Sequence, residues 1–282
     1  MAEPRRITLA RVESIAAGRI TSAAVDDRGG LFTWGCAAFG GGGATGLGYD
    51  PATELQLSPK RVDALSEDRV VGVALGHVST LAVTDAGAVF SFGQSRNGSL
   101  GHGLSTSEVL PRRIETLTEM GRWFVAVAAG TFYSLALTEE GQVYGWGDGG
   151  ANGHGQDQRT PQLVAALAGE RVTLVYAQRN SSCAVTEKGE LYTWGDGSLN
   201  SSSLVHGVAA PQPTPKRVEA LRGVKVATAA VGDGHTLVAG EDGAVWRFGE
   251  RVFLGLGGAD APPAGSVVQP NPIPNLRVRT LP

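Results

Sequence analysis

The sequence predicts an all-β fold built from five like units. Three observations carry this. One eighteen-residue pattern returns five times at constant length. Each copy alternates as a β-hairpin does, not as a helix does. Glycine, at 41 of 282 residues, is about twice its usual share and shows no collagen period, so it marks tight turns.

The hairpin comes first because it is the most regular element. The copies run Gly18–Gly35, Gly76–Gly93, Gly130–Gly147, Gln178–Gly195 and Gly232–Gly249, each closing on Trp-Gly or Phe-Gly. In the third copy Ser134-Leu135-Ala136-Leu137 reads as one strand, Thr138-Glu139-Glu140-Gly141 as the tip and Val143-Tyr144-Gly145-Trp146 as the return strand. The constant length fixes register, since a one-residue slip would turn every side chain to the wrong face. Gly29, Gly87, Gly141, Gly189 and Gly243 end the tips, where a left-handed backbone is expected. A hydroxyl recurs inside every copy (Ser22, Thr80, Ser134, Ser182, Thr236), which argues for a structural hydrogen bond and not for a nucleophile.

An apolar strand precedes the hairpin, as in Val70–Ala74, Val125–Ala129 and Val224–Ala230. Before it stands a Pro-x-x-Val step: Pro59 to Val62, Pro111 to Ile114, Pro161 to Val164 and Pro215 to Val218. A leucine follows three residues later in each, at Leu65, Leu117, Leu167 and Leu221. Four short strands fill each repeat and leave no room for ordinary helices. Four-stranded sheets arranged radially make a β-propeller with five visible blades.

The order of these elements, with Asn97-Gly-Ser-Leu-Gly-His-Gly103 as the clearest closing piece, resembles the repeat of the regulator of chromosome condensation family. The resemblance implies an RCC1-like propeller, usually of seven blades, over nearly the whole chain. It implies a protein-interaction role, with nucleotide exchange on a small GTPase as the alternative. The repeats divide as 4–58, 59–110, 111–160, 161–214 and 215–271 within a single domain, 1–282. Residues 272–282 start a further repeat or close the ring with 4–15. A closed five-blade ring and an open arc of a larger propeller are both compatible with this count. Some relatives of the family are plant ultraviolet receptors whose tryptophans follow the glycine that starts the hairpin. Here those positions hold Arg19, His77, Thr131, Arg179 and Asp233, so photoreception is not expected.

Composition narrows the function. A net charge of −3 gives no bulk basic field for nucleic acid or anionic membrane. No apolar run is long enough to span a bilayer, and the first residues lack the apolar core of a secretory signal. An intracellular, cytoplasmic setting is the expectation, with nuclear and organellar settings left open. Cys36 and Cys183 are too few for a disulfide framework and read as buried free thiols.

Chemical motifs are weak. Gly145, Gly147 and Gly150 spell G-x-G-x-x-G, but the residues after Gly150 are a poor helix start, and a pyrophosphate seat needs a helix N-terminus. His102, His154 and His206 recur 52 residues apart in equivalent loops, which favours repeated hydrogen bonding over a metal site. No catalytic residue, cofactor or metal is expected. Copy four departs most, with Gln178 in place of glycine and Ser198–Ser203 in place of the glycine-rich element.

Charge gives the one candidate site. The hairpin tips carry Asp26, Asp27, Asp85, Glu139, Glu140, Glu187, Glu241 and Asp242 against Arg28 and Lys188. The Pro-x-x-Val steps carry Arg5, Arg6, Lys60, Arg61, Arg112, Arg113, Lys216 and Arg217. If equivalent positions share a rim, an acidic partner-binding rim and a basic one result, fit to steer a charged protein. The expected role is a non-catalytic scaffold within a larger assembly, with other proteins as partners.

Overall fold

Five separate four-stranded antiparallel sheets follow one another along the chain in this computed structural model. It describes residues 11–36, 46–49, 55–195, 204, 210–232, 234–250, 254 and 267–278. Sheet one holds β1 (Val12–Ala17), β2 (Thr21–Asp26), β3 (Leu31–Cys36) and β4 (Leu55–Arg61). Sheet two holds β5 (Val70–Leu75), β6 (Ser79–Thr84), β7 (Val89–Gly93) and β8 (Glu108–Arg113). Sheet three holds β9 (Phe124–Ala129), β10 (Tyr133–Thr138), β11 (Val143–Gly147) and β12 (Gln158–Leu163). Sheet four holds β13 (Val172–Gln178), β14 (Ser181–Thr186), β15 (Leu191–Gly195) and β16 (Gln212–Arg217). Sheet five holds β17 (Val226–Val231), β18 (His235–Gly240), β19 (Ala244–Glu250) and β20 (Val267–Arg277).

The predicted hairpin is the second and third strand of every sheet. Its register repeats: Ser22 faces Trp34, Thr80 faces Phe92, Ser134 faces Trp146, Ser182 faces Trp194 and Thr236 faces Phe248. The Pro-x-x-Val step behaves differently from its place in the sequence repeat. It forms the outer strand of the preceding sheet, with Phe32 opposite Arg61, Phe90 opposite Arg113 and Tyr192 opposite Arg217. Sheet and sequence repeat are thus out of step by one strand. The proline suits this outer edge, where it removes a donor that could pair with another chain. After the step the chain makes one short helical turn that buries Leu65, Leu117, Leu167 or Leu221 and enters the next sheet.

Sheets pack face to face in series. First strands neighbour first strands (β1 on β5, β5 on β9, β9 on β13, β13 on β17) and so line the inside of the array. Between sheets three and four, Leu135, Leu137 and Val143 meet Val172, Val175 and Trp194, with Val164 and Leu167 filling the wedge. Leu135 and Trp194 are fully buried there. Burial of each such leucine stabilises by about 1.5–3 kcal/mol. The same positions pair between sheets one and two, two and three, and four and five.

The hairpin tip locks onto the next sheet. Gly141 is left-handed at φ 85°, and its carbonyl accepts the Val172 amide at 3.0 Å. A Cβ at Gly141 would stand 2.8 Å from that nitrogen, so both the backbone conformation and the close approach demand glycine. The bond recurs from Val70 to Gly29, Phe124 to Gly87 and Val226 to Gly189.

The sheets do not close on one another: among the described residues no packing of this kind joins sheet five to sheet one. The arrangement is an open series of five blades, and a ring closed at five is not what is observed. Residues 272–277 complete the outer strand of sheet five, with Trp246 opposite Pro272, as the opening step of each sequence repeat completes the sheet before it. Val278 then donates its amide to Gly243 O at 3.0 Å, the bond that starts a first strand in every internal copy. The N-terminal counterpart, Pro4 to Ile7, lies outside the described residues.

Candidate functional site

The glycine-rich loops are the first place to look for chemistry, and their amides are already occupied. Gly150 N donates to Asp148 Oδ1 and Gly149 N to Asp157 Oδ1, each at 2.9 Å. Two protein carboxylates thus stand where a phosphate would bind, and no helix follows the loop. His102 bonds Ser91 Oγ at 2.9 Å, and His154 bonds Gly145 O at 3.2 Å, each within its own sheet. Burial holds both imidazoles below the ordinary histidine range. His206 and Ser198–Ser203 lie outside the described residues.

The recurring hydroxyl and the Trp-Gly tryptophan prove to share one partner. Ser134 Oγ and Trp146 Nε1 both donate to Ser99 O in the loop of the preceding sheet, at 2.9 and 2.8 Å. Ser182 Oγ and Trp194 Nε1 both donate to Ala151 O, at 3.0 and 2.8 Å. Thr80 Oγ1 makes the same reach to Gly46 O at 2.6 Å. These are buried bonds between sheets, which accounts for the repeat without invoking catalysis or a chromophore.

The hairpin tips that carry the acidic residues each lie against the start of their own first strand, with basic neighbours among them. The tip amides of Asp27, Asp85, Glu139, Glu187 and Glu241 bond the backbone just before each first strand. That position carries Arg69, Arg171 and Lys225, which stand 3.9, 3.6 and 3.8 Å from Asp85, Glu187 and Glu241. Arg277 lies 3.5 Å from Asp242. Asp26 is buried and accepts the amides of Arg28 and Gly30, so it shapes its turn. Glu139 and Glu140 stay exposed beside Trp123. Of the Pro-x-x-Val cations, Arg112 pairs with Glu108 at 2.7 Å and Arg217 with Glu190 at 2.9 Å. Exposed pairs of this kind are worth well under about 1 kcal/mol each.

The opposite rim holds a cluster that sequence reasoning passed over. Loops between first and second strands touch there: a Cβ on Gly76 would lie 2.6 Å from Gly130 O. Arg19 Nη1 is hydrogen-bonded to His77 Nε2 across sheets one and two. The His77 ring stacks on Phe132 of sheet three, centroids 6.0 Å apart and planes 11° apart. Arg96, from the long loop of sheet two, lies 5.1 Å over the same Phe132 ring. Arg179 joins from sheet four, its carbonyl accepting the Thr131 amide at 2.8 Å. Burial, and then Arg19, Arg179 and Arg96, push the His77 pKa below its usual value. The available signal was the run of residues after the hairpin glycine, Arg19, His77, Thr131 and Arg179, read for tryptophan and not for charge.

The two ends of the series expose positions that are more deeply buried in the internal sheets. Ile15 is 78% exposed, while Val175 and Ala229 at the same position are buried. Val12 is 42% exposed against 1% for Val70. At the other end Leu237 is 39% exposed, where Leu81, Leu135 and Cys183 are at 0%. Among the described residues no sheet precedes sheet one, and Ser22 and Trp34 make no bond of the kind that Ser134 and Trp146 make.

Serial four-stranded blades, inter-blade hydroxyl and indole bonds, and glycine tips define a repeat-built β-propeller protein. The chain belongs to the regulator of chromosome condensation (RCC1) repeat family, whose models match residues 28–83, 86–137, 188–239 and 124–156. It is 37% identical over 276 residues to the human E3 ubiquitin-protein ligase HERC2, covering 96% of this chain and 5% of that protein. It superposes on human WBSCR16 with a TM-score of 0.79 at 27% identity, over 96% of this chain and 69% of that one. Prp20p of Saccharomyces cerevisiae, described with its binding to Gsp1p and histones, gives 0.78 at 22% identity, over 94% and 66%. The last likeness speaks to the fold alone. No helix among the described residues is long and apolar enough to cross a membrane.

Proposed function

We propose that this chain is a non-catalytic protein-interaction scaffold and a subunit of a larger protein assembly. One observation carries the reading: the array ends in two apolar faces, at Val12 and Ile15 and at Leu237, that are more exposed than their equivalents in the internal sheets. Exposed apolar faces on an otherwise well-packed body favour partners. Rim loops on a rigid frame supply specificity. An intracellular, cytoplasmic setting goes with two cysteines kept as free thiols.

The experiment is mass spectrometry of what co-purifies with the native protein, compared with Ile15→Asp and Leu237→Asp variants. Stoichiometric partners that these variants lose support the scaffold. A stable monomer with nothing bound counts against it. Nucleotide exchange on a small GTPase is the second reading, supported by the RCC1 family membership and by the Gsp1p binding described for Prp20p. Accelerated GDP release from a panel of small GTPases would replace the scaffold-only reading with this one.

A further inference from the structure

We infer that the rim formed by Arg19, His77, Arg96, Arg179 and Phe132 is a docking site for an acidic, carboxylate-bearing segment of a partner protein. The inference rests on the protein-interaction reading above and names the surface and the chemistry it would use.

Three observations converge. First, four sheets contribute to one cluster, through the Arg19–His77 bond, the His77–Phe132 stack, the Arg96–Phe132 contact and the Arg179–Thr131 bond. Second, Arg19, Arg96 and Arg179 are exposed, with His77 and Phe132 half-buried. Third, the two non-glycine residues with left-handed backbones among the described residues are Asn97, at φ 52°, and Arg179, at φ 47°. Both stand on this rim. A left-handed arginine is unfavourable by about 1–2 kcal/mol, and such strain clusters where a surface is held for binding.

The chemistry selects the ligand. Planar guanidinium groups bind carboxylates in a two-pronged manner, and Phe132 fixes Arg96 so that less freedom is lost on binding. A chain of net charge −3 supplies no bulk basic field to hold a nucleic-acid backbone. A compact cationic site on an acidic body suits a short acidic peptide.

The test uses the full chain and a fluorescein-labelled octaglutamate peptide, read by anisotropy at low salt. Saturable binding is expected, weakened about three- to tenfold by Arg96→Gln and by Arg179→Gln, and unchanged by Arg171→Gln on the opposite rim. Thermal melts confirm that the variants are folded. Three results overturn the inference: no saturable binding, equal weakening by variants of both rims, or stronger binding of an oligothymidylate than of the peptide. Native partners that co-purify undiminished with an Arg96→Gln, Arg179→Gln double variant also overturn it, while leaving the scaffold reading standing. Peptide binding confined to this rim with no native partner leaves the rim and removes the scaffold.

Discussion

Ser134 Oγ and Trp146 Nε1, from adjacent strands of one sheet, converge on a single acceptor, the carbonyl oxygen of Ser99 in the sheet before. A buried carbonyl with two donors tolerates the loss of one better than the loss of both. Ser134→Ala and Trp146→Phe are therefore each expected to cost about 1 kcal/mol. Phe92 and Phe248 show that phenylalanine fits the tryptophan position. The double variant is expected to lose more than the sum, because only then is Ser99 O left without a donor. Urea unfolding of the two singles and the double measures this; strict additivity would argue against a shared acceptor.

Leucine at one repeat position should matter in one sheet and not in another. Leu135→Ala opens a cavity between sheets three and four and is expected to cost about 2–5 kcal/mol. Leu237→Ala, at the exposed end face, is expected within about 0.5 kcal/mol of the parent in the isolated chain. Denaturant midpoints decide it. A large loss at Leu237 would mean that its face is covered within the chain itself.

Three histidines make stability depend on pH in a definite direction. Burial lowers the pKa of His77, His102 and His154 in the folded chain. The unfolded chain binds protons first, at about pH 6.5. The stability these neutral rings contribute is complete above that value and is lost as pH falls through the folded values. Melting temperature is expected to be flat from pH 8 to 7 and to fall toward pH 5. Imidazole proton NMR should show three midpoints below that of free histidine, and midpoints at or above it would refute the account.

The two thiols should differ sharply. Cys183 is fully buried, and burial pushes its pKa up to about 12, whereas Cys36 is half-buried at the end of β3. A neutral-pH thiol reagent is expected to label Cys36 within minutes and to reach Cys183 only after denaturation, because the thiolate is the nucleophile. Rapid labelling of both in the native chain would show that the interface between sheets four and five opens readily.

The sequence by itself determined the hairpins, their register, the glycine tips and the number of blades. These depend on alternation and spacing within some eighteen residues, where each side chain's face is fixed by its neighbours along the strand. It also marked the recurring hydroxyl and the Trp-Gly step as architectural. Tertiary structure alone decided three things. It placed each Pro-x-x-Val step on the edge of the sheet before it, because strand pairing joins segments that the sequence repeat divides. It left the series open, because closure depends on the angle between packed sheets and not on any one of them. It brought Arg19 and His77, 58 residues apart, onto one surface with Phe132 and Arg96. Such a cluster is written across four repeats, one or two residues in each, and only the packing of sheet on sheet makes it a site.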